Sequence, residues 1–401
     1  MTAVLNEPTT SADTDARDHL ARAKAVAEIV EAEANDIEDQ ATITKPVYEA
    51  LAEQRLFWML VPKELNGMGL GLVESFEVIE ELSRADGSTG WAFMANSLST
   101  SLAAGFLADK GARDLFDHEV PGITAGMILP TGSGKQVEGG YIVTGNYQFA
   151  SGSAHASWIG AGFVVTDEEG NPLTTPDGGP VCRTAFVPRE KAEFRGNWNV
   201  WGLVGTGSYD YGLTEVFIPE EHAFDTFSTT PVRSEPVYKF GLLGIGVGGH
   251  APVALGIARH ALDEIVKVAT VKGRVGYPTV VGDSELFKLE FAKKEALYRA
   301  ARAYVYEVHR EAEEWINAGN DLTEVHNARL RQSITWVQEV AAEVTGFAHR
   351  WGGSQSFRNP TALGRATRDA MIATQHLLVD PMTMVDAAGP IMAEYGEGRA
   401  R

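Results

Sequence analysis

The chain has 401 residues, 44% hydrophobic and 22% charged, enough to bury a large core and to divide into two or three lobes. Its 34 Lys and Arg against 54 Asp and Glu leave a net charge of -20, which repels nucleic-acid phosphates and anionic membrane surfaces, so neither partner is expected. The single cysteine, Cys182, excludes an intrachain disulfide framework and any cysteine-built zinc or iron–sulfur site, and it fits a reducing cytoplasm.

The opening MTAVLNEPTTSADTDARDHL has acids where a secretory signal needs basic residues and lacks an apolar centre, so it reads as a frayed tail. From about residue 16 to 116, apolar residues three and four apart predict helices in LARAKAVAEIVEAEANDIEDQ, PVYEALAEQRLFWMLV and VESFEVIEELSRAD. Between about 122 and 227 the texture changes to short β-branched and aromatic runs set between turn formers: YIVTGNYQF, SWIGAGFVV, RTAFVP and LTEVFIP. After TTPVRSEPVYKF the helical spacing returns and continues to the end. The expected class is α+β in three domains: helical over 1–120, β over 121–235 and a helical bundle over 236–401. No run reaches the ~20 uncharged apolar residues of a membrane span.

One GxGxxG, at Gly244, Gly246 and Gly249, has Glu264 downstream at a dinucleotide-like distance. That fingerprint needs a strand before it and a second strand ending at the acid, whereas Glu264 falls in a helical run, so the glycines read as a helix entry. Residues 368–380, RDAMIATQHLLVD, place His376 alone in an apolar run. Imidazole titrates nearest neutrality, so this histidine is either a packed ring or a group that holds and passes a proton. His155 lies close to two serines, and the other eight histidines, His250 included, are scattered without ligand spacing; no metal is expected. A serine hydrolase is disfavoured because no GxSxG elbow occurs.

The three-lobe order and five phrases resemble the acyl-CoA dehydrogenase superfamily from about residue 20 to 392. GSTGW at 87–91, GGYIVTGNYQFASGSAHASW at 139–158, WNVWGLVGTGSYDYGLTEVFIP at 198–219, PVYK at 236–239 and RDAMIATQH at 368–376 resemble its flavin-dependent, two-component monooxygenases. The resemblance implies a helical N-terminal domain, a central β-barrel or sandwich and a C-terminal four-helix bundle. It implies an oxygenase that uses reduced flavin, FMN ahead of FAD, with O2, through a flavin hydroperoxide, to hydroxylate an aromatic, polycyclic or heteroatom-containing small molecule. A separate NAD(P)H:flavin reductase would supply the flavin, and a homotetramer is expected.

The same resemblance implies site residues. The dehydrogenase base one position beyond the histidine is Leu377 here, and the alternative base position falls in Gly244–Gly249; neither can accept a proton. An acyl-CoA dehydrogenase or oxidase with an atypical base, or a non-catalytic flavin-binding relative, stays as the alternative. His376 becomes the catalytic candidate with Ser151 and, close behind, Ser153. The flavin wall is implied at Met127, Leu129, Pro130, Thr131, Phe149, Ala150 and Ser151. Lys272 and Arg274 fall where relatives carry a basic residue for cofactor phosphate, and Gly352 and Gly353 match a turn near a neighbouring subunit's cofactor. Two departures stand out: Ser99 where several relatives carry a second histidine, and Val204 where they often carry arginine.

Overall fold

The computed structural model describes residues 18–397 apart from Tyr277, so most of the acidic opening stretch lies outside the described residues. Helices α1 (His19–Gln40), α2 (Lys45–Glu53), α3 (Leu72–Ala85), α4 (Gly87–Phe106) and α5 (Asp109–Phe116) come first. The sequence GSTGWAFMANSLSTSLAAGF makes α4 buried nearly all round, because its polar side chains are short hydroxyls and one amide. Asp86 caps it, accepting from the Thr89 N–H at 2.8 Å.

Strands β1 (Thr124–Val137), β2 (Gly140–Ala150), β3 (Trp158–Thr166), β4 (Cys182–Pro188), β5 (Glu193–Phe194), β6 (Tyr209–Pro219) and β7 (Ala223–Asp225) follow. They form one sheet in the order β5-β6-β2-β1-β3-β4-β7. β1 and β3 run parallel, and the other neighbours are antiparallel. The β1–β3 register slips between Met127 and Pro130 and again between Pro130 and Gly132, where proline removes a ladder donor.

A 3-10 turn, Pro236–Phe240, and a π-turn, Leu242–Val247, lead into the final helices. These are α6 (His250–Val271), α7 (Glu285–Asn317), α8 (Glu324–Gly352), the short α9 (Ser354–Phe357), α10 (Ala362–Ala373) and α11 (Thr383–Glu397). The first and last helical segments share one hydrophobic core, in which α6 packs against both α3 and α8; the sheet keeps a smaller core of its own. Because a turn and not a strand precedes Gly244, and Glu264 sits on α6 paired with Lys267 at 2.6 Å, the dinucleotide frame is absent. Among the described residues no helix is long and apolar enough to cross a membrane.

Candidate functional site

His376 stands just past the end of α10, where its Nδ1 accepts the Leu378 N–H at 3.3 Å. An amide can only donate, so Nδ1 holds a lone pair and the neutral ring keeps its proton on Nε2. Burial pushes its pKa down to about 4, which leaves it uncharged near neutrality. Its ring lies against that of His250, with centroids 4.4 Å apart and planes inclined by 36°. Trp91 of α4 stands edge-on to both rings, at 5.5 Å from His376 and 5.1 Å from His250.

His250 opens α6 directly after the glycine run. A Cβ on Gly249 would sit 2.4 Å from Leu98 and 2.6 Å from Met94, so only glycine lets the helix entry approach α4 this closely. The His250 Nδ1 lies 2.9 Å from the Val247 carbonyl. A carbonyl can only accept, so this nitrogen carries the proton and Nε2 is left as an acceptor. Burial, and then the neighbouring His376, push His250 down to about 3. The two rings therefore offer one donor and one acceptor nitrogen with no formal charge. Val247 and Leu378, whose backbones hold the two rings, both line a cavity of about 690 Å³ with Phe227, Phe240 and Leu242. A larger hollow of about 930 Å³ is bordered by ion pairs such as Arg84–Glu31 and Arg259–Asp263 and contains none of the sequence-predicted site residues.

On the sheet, Met127, Leu129 and Pro130 are half-buried along the slipped stretch of β1, and Thr131 is exposed. The Met127 N–H donates to the Tyr211 hydroxyl at 2.8 Å. Phe149, at φ 63°, is exposed and edge-on to Trp198 at 6.4 Å, and Ala150 is buried. The Ser151 Oγ lies 2.7 Å from the Ser208 Oγ, which lies 2.7 Å from the Thr206 Oγ1. Thr206 donates to the Leu203 carbonyl at 2.8 Å, and the Leu203 N–H donates to Asp369 at 2.6 Å. The motif that delivers His376 thus also anchors, through Asp369, the hydroxyl chain that ends on Ser151. Between the serines, Gly152 has φ 71° and a Cβ there would lie 2.1 Å from Asn96 Oδ1. The Ser153 Oγ is buried with no hydrogen-bond partner, although its carbonyl accepts from Arg189 Nε at 2.8 Å.

The four remaining cofactor candidates form a second group. The Lys272 ammonium donates to the Gly352 carbonyl and would lie 2.9 Å from a Cβ on Gly353, a left-handed position with φ 53°. Arg274 donates to the carbonyls of Arg350 and Trp351 at 3.1 and 2.8 Å and covers the Trp351 ring at 4.8 Å. Burial, followed by the Arg274 charge, lowers the Lys272 pKa.

The departures resolve into particular contacts. The Ser99 Oγ accepts from Thr124 Oγ1 at 2.7 Å. A second imidazole beside His376 comes from α6 as His250, which the sequence reading leaves among the scattered histidines. Its one sequence signal is its place in the first turn after a glycine run. The Val204 carbonyl accepts from Trp198 Nε1 at 3.1 Å. Leu377, which the resemblance puts at the dehydrogenase base position, is 70% exposed. His155 ties the sheet to the first lobe, its Nε2 2.9 Å from the Ile43 carbonyl and its ring stacked on Tyr48 at 5.0 Å. Among the described residues no three His, Cys, Asp or Glu side chains gather as metal ligands.

Residues 14–126 match the acyl-CoA dehydrogenase N-terminal domain and residues 248–381 the acyl-CoA dehydrogenase C-terminal domain. The indole-3-acetate monooxygenase of Pseudomonas putida is 31% identical over 352 residues, covering 88% of each chain. The flavin-dependent monooxygenase oxygenase subunit HsaA of Rhodococcus jostii is 26% identical over 359 residues, 87% of this chain and 91% of that one. Among solved structures, the 3-HSA hydroxylase from Rhodococcus sp. RHA1 superposes with a TM-score of 0.85 at 24% identity, covering 94% of this chain and 97% of that one. XiaF from Streptomyces sp. superposes with a TM-score of 0.87 at 19% identity, covering 95% and 96%, and both show the same fold. With the family models and these relatives, the chain belongs to the acyl-CoA dehydrogenase family, in its branch of flavin-dependent monooxygenases.

Proposed function

We propose that this chain is the oxygenase component of a two-component system, taking reduced flavin from a separate NAD(P)H:flavin reductase and oxygenating an aromatic, polycyclic or heteroatom-containing small molecule. The observation that carries the reading is the His376–His250 pair: two neutral imidazoles of opposite hydrogen-bonding sense, joined through their backbone partners to a 690 Å³ cavity. Leu377 stands where the resemblance puts the dehydrogenase carboxylate, so proton abstraction beside a thioester would lack its usual base.

The residues present fit a flavin. Half-exposed Met127, Leu129 and Pro130 with exposed Phe149 make an apolar shelf, and Ser151 and the unpartnered Ser153 Oγ stand beside it as hydroxyls. Such a shelf suits a flat ring that is apolar on its face and polar at its edge. Reduced flavin, when bound, supplies with O2 the oxygen atom to be transferred. The His376 Nε2–H would be free to donate a hydrogen bond at the reacting centre, and the His250 Nε2 would be free to accept one from a substrate O–H or N–H. Phe227, Phe240 and Leu242 supply apolar wall to a cavity whose rim also carries hydroxyls and charged groups.

Reduced FMN is the flavin we assign, with FADH2 as the alternative favoured by relatives named as an FADH(2)-dependent resorcinol hydroxylase and a complex with FADH2. Lys272, Arg274, Gly352 and Gly353 form the phosphate-side group, shared between neighbouring subunits of a homotetramer. The exposed Leu286, Leu289, Met382, Val385 and Met392 on the C-terminal segment supply apolar surface for such an assembly. The unpaired Cys182 accords with a reducing cytoplasm.

Incubation with a flavin reductase, NAD(P)H, FMN and 18O2 tests the proposal. One labelled oxygen should enter the product, and the purified chain without reductase should oxidise no NADH. Reduction of bound flavin by an acyl-CoA, with no label transferred, would establish the dehydrogenase or oxidase alternative. No response to either leaves the non-catalytic one.

A further inference from the structure

The cavity lined by Val247 and Leu378, the backbone partners of the two imidazoles, holds a cation whose own partners do not neutralise it. Arg331 of α8 lines it, and its Nη1 donates to the Leu378 carbonyl at 2.9 Å. A guanidinium carries five N–H donors, so the planar fork formed by Nε and Nη2 is left uncommitted by this bond. Among the described residues Arg331 has no ion-pair partner; Asp386 of α11 acts on it only from farther away. The other charges on the wall cancel, since Lys239 and Asp321 pair with each other at 3.0 Å. Within a chain of net charge -20, this chamber therefore presents one net positive charge among Phe227, Phe240, Leu242 and Val247.

Leu378 joins this cation to the reacting end. Its carbonyl holds Arg331 and its N–H is held by His376, so a single peptide residue spaces the guanidinium from the imidazole. An uncompensated, half-buried guanidinium is costly unless a ligand completes it, and its fork matches the two oxygens of a carboxylate. We propose that Arg331 anchors the carboxylate of an aromatic acid, holding the ring against the apolar wall with its oxidisable position at the His376–His250 pair. This deepens the oxygenase reading and rests on that cavity being its substrate chamber.

Calorimetric titration of the full chain with indole-3-acetate and indole-3-acetamide tests it, because the two probes differ in charge and hardly in shape. The acid should bind about tenfold to a hundredfold more tightly than the amide, as expected for a charge-assisted bidentate pair, and should weaken as NaCl is raised. Arg331→Met should bring the acid down to the level of the amide while the amide keeps its affinity, which also reports an intact chamber. Arg331→Lys should keep part of the preference, because the charge remains and the fork is lost. Equal affinity for acid and amide, binding of neither, or an equal loss for both in Arg331→Met overturns the anchor. The two readings fail separately: oxygen label in a product without acid preference removes the anchor alone, and acid preference without label removes the oxygenase alone.

Discussion

At its start, helix α10 turns Arg365 and Arg368 into a nest of acids, whereas its end delivers His376 to a chamber of aromatic rings. Arg365 reaches Glu38 at 3.1 Å and Asp86 at 3.3 Å, and Arg368 bonds Glu38 and, at 2.8 Å, Asn359. Asp369 is buried in the same nest, where burial and then the Asp86 charge raise its pKa well above the usual carboxylate range. At the other end, His376 meets His250 and Trp91 and is neutral because burial alone penalises its charged form. Arg365 and Arg368 keep their buried charge because Glu38 and Asp86 are delivered with them, whereas Asp369 beside Asp86 and an imidazole surrounded by rings are both pushed toward their neutral forms. One short helix thus serves as an anchor at one end and as a source of uncharged proton-handling groups at the other.

Removing the chemical end should have the largest effect. His376→Ala, compared at equal flavin occupancy, should keep the fold and lower product formation by ~100-fold to ~10,000-fold, with hydrogen peroxide released in place of product. An unchanged product yield would reduce His376 to a packed ring. Breaking the anchor should act on stability: Arg365→Met leaves Asp86 without its cation and Glu38 with Arg368 alone, and should cost about 3–5 kcal/mol in urea denaturation. A loss below about 1 kcal/mol would show the nest to be solvated in solution.

The pH dependence sharpens the contrast. Both imidazoles have folded pKa values, about 4 and about 3, below the ~6.5 of an unfolded histidine, so the unfolded chain binds their protons first. Their contribution is fully present above about pH 6.5 and is lost as pH falls through the folded values, at no more than about 1.4 kcal/mol per pH unit for each ring. His250→Phe should make that acid-side slope shallower, and an identical slope in thermal melts from pH 6.5 to 4 would contradict the burial of His250. The smallest effect is expected on the sheet side. Ser151→Ala removes one neutral hydrogen bond of a chain that still reaches Asp369 through Ser208 and Thr206, so coupled product yield should fall by at most about tenfold.

Much of this was legible without coordinates. The change from helical spacing to alternating β-branched runs and back marked the order of helical, sheet and helical segments, because each period reflects which face a local element buries. The GxGxxG was rightly set aside from its frame alone. His376 was singled out by its type and its apolar neighbours. The β-domain wall and the basic group followed from resemblance, which named their residues without saying what each one touches.

His250 and Arg331 were not legible in this way. Both sit in ordinary helical sequence, and their significance depends on Val247 and Leu378, whose backbones settle which imidazole nitrogen keeps its proton and which guanidinium donors stay open. The same holds for the shared core of the two helical segments, for the Ser153 hydroxyl left unpartnered, and for the hydroxyl chain from Ser151 to Asp369. Periodicity records what one element buries, so the sequence by itself determined the elements and their order. Which proton donors and charges remain unsatisfied is decided by groups distant along the chain meeting in space, and that only the tertiary structure decided.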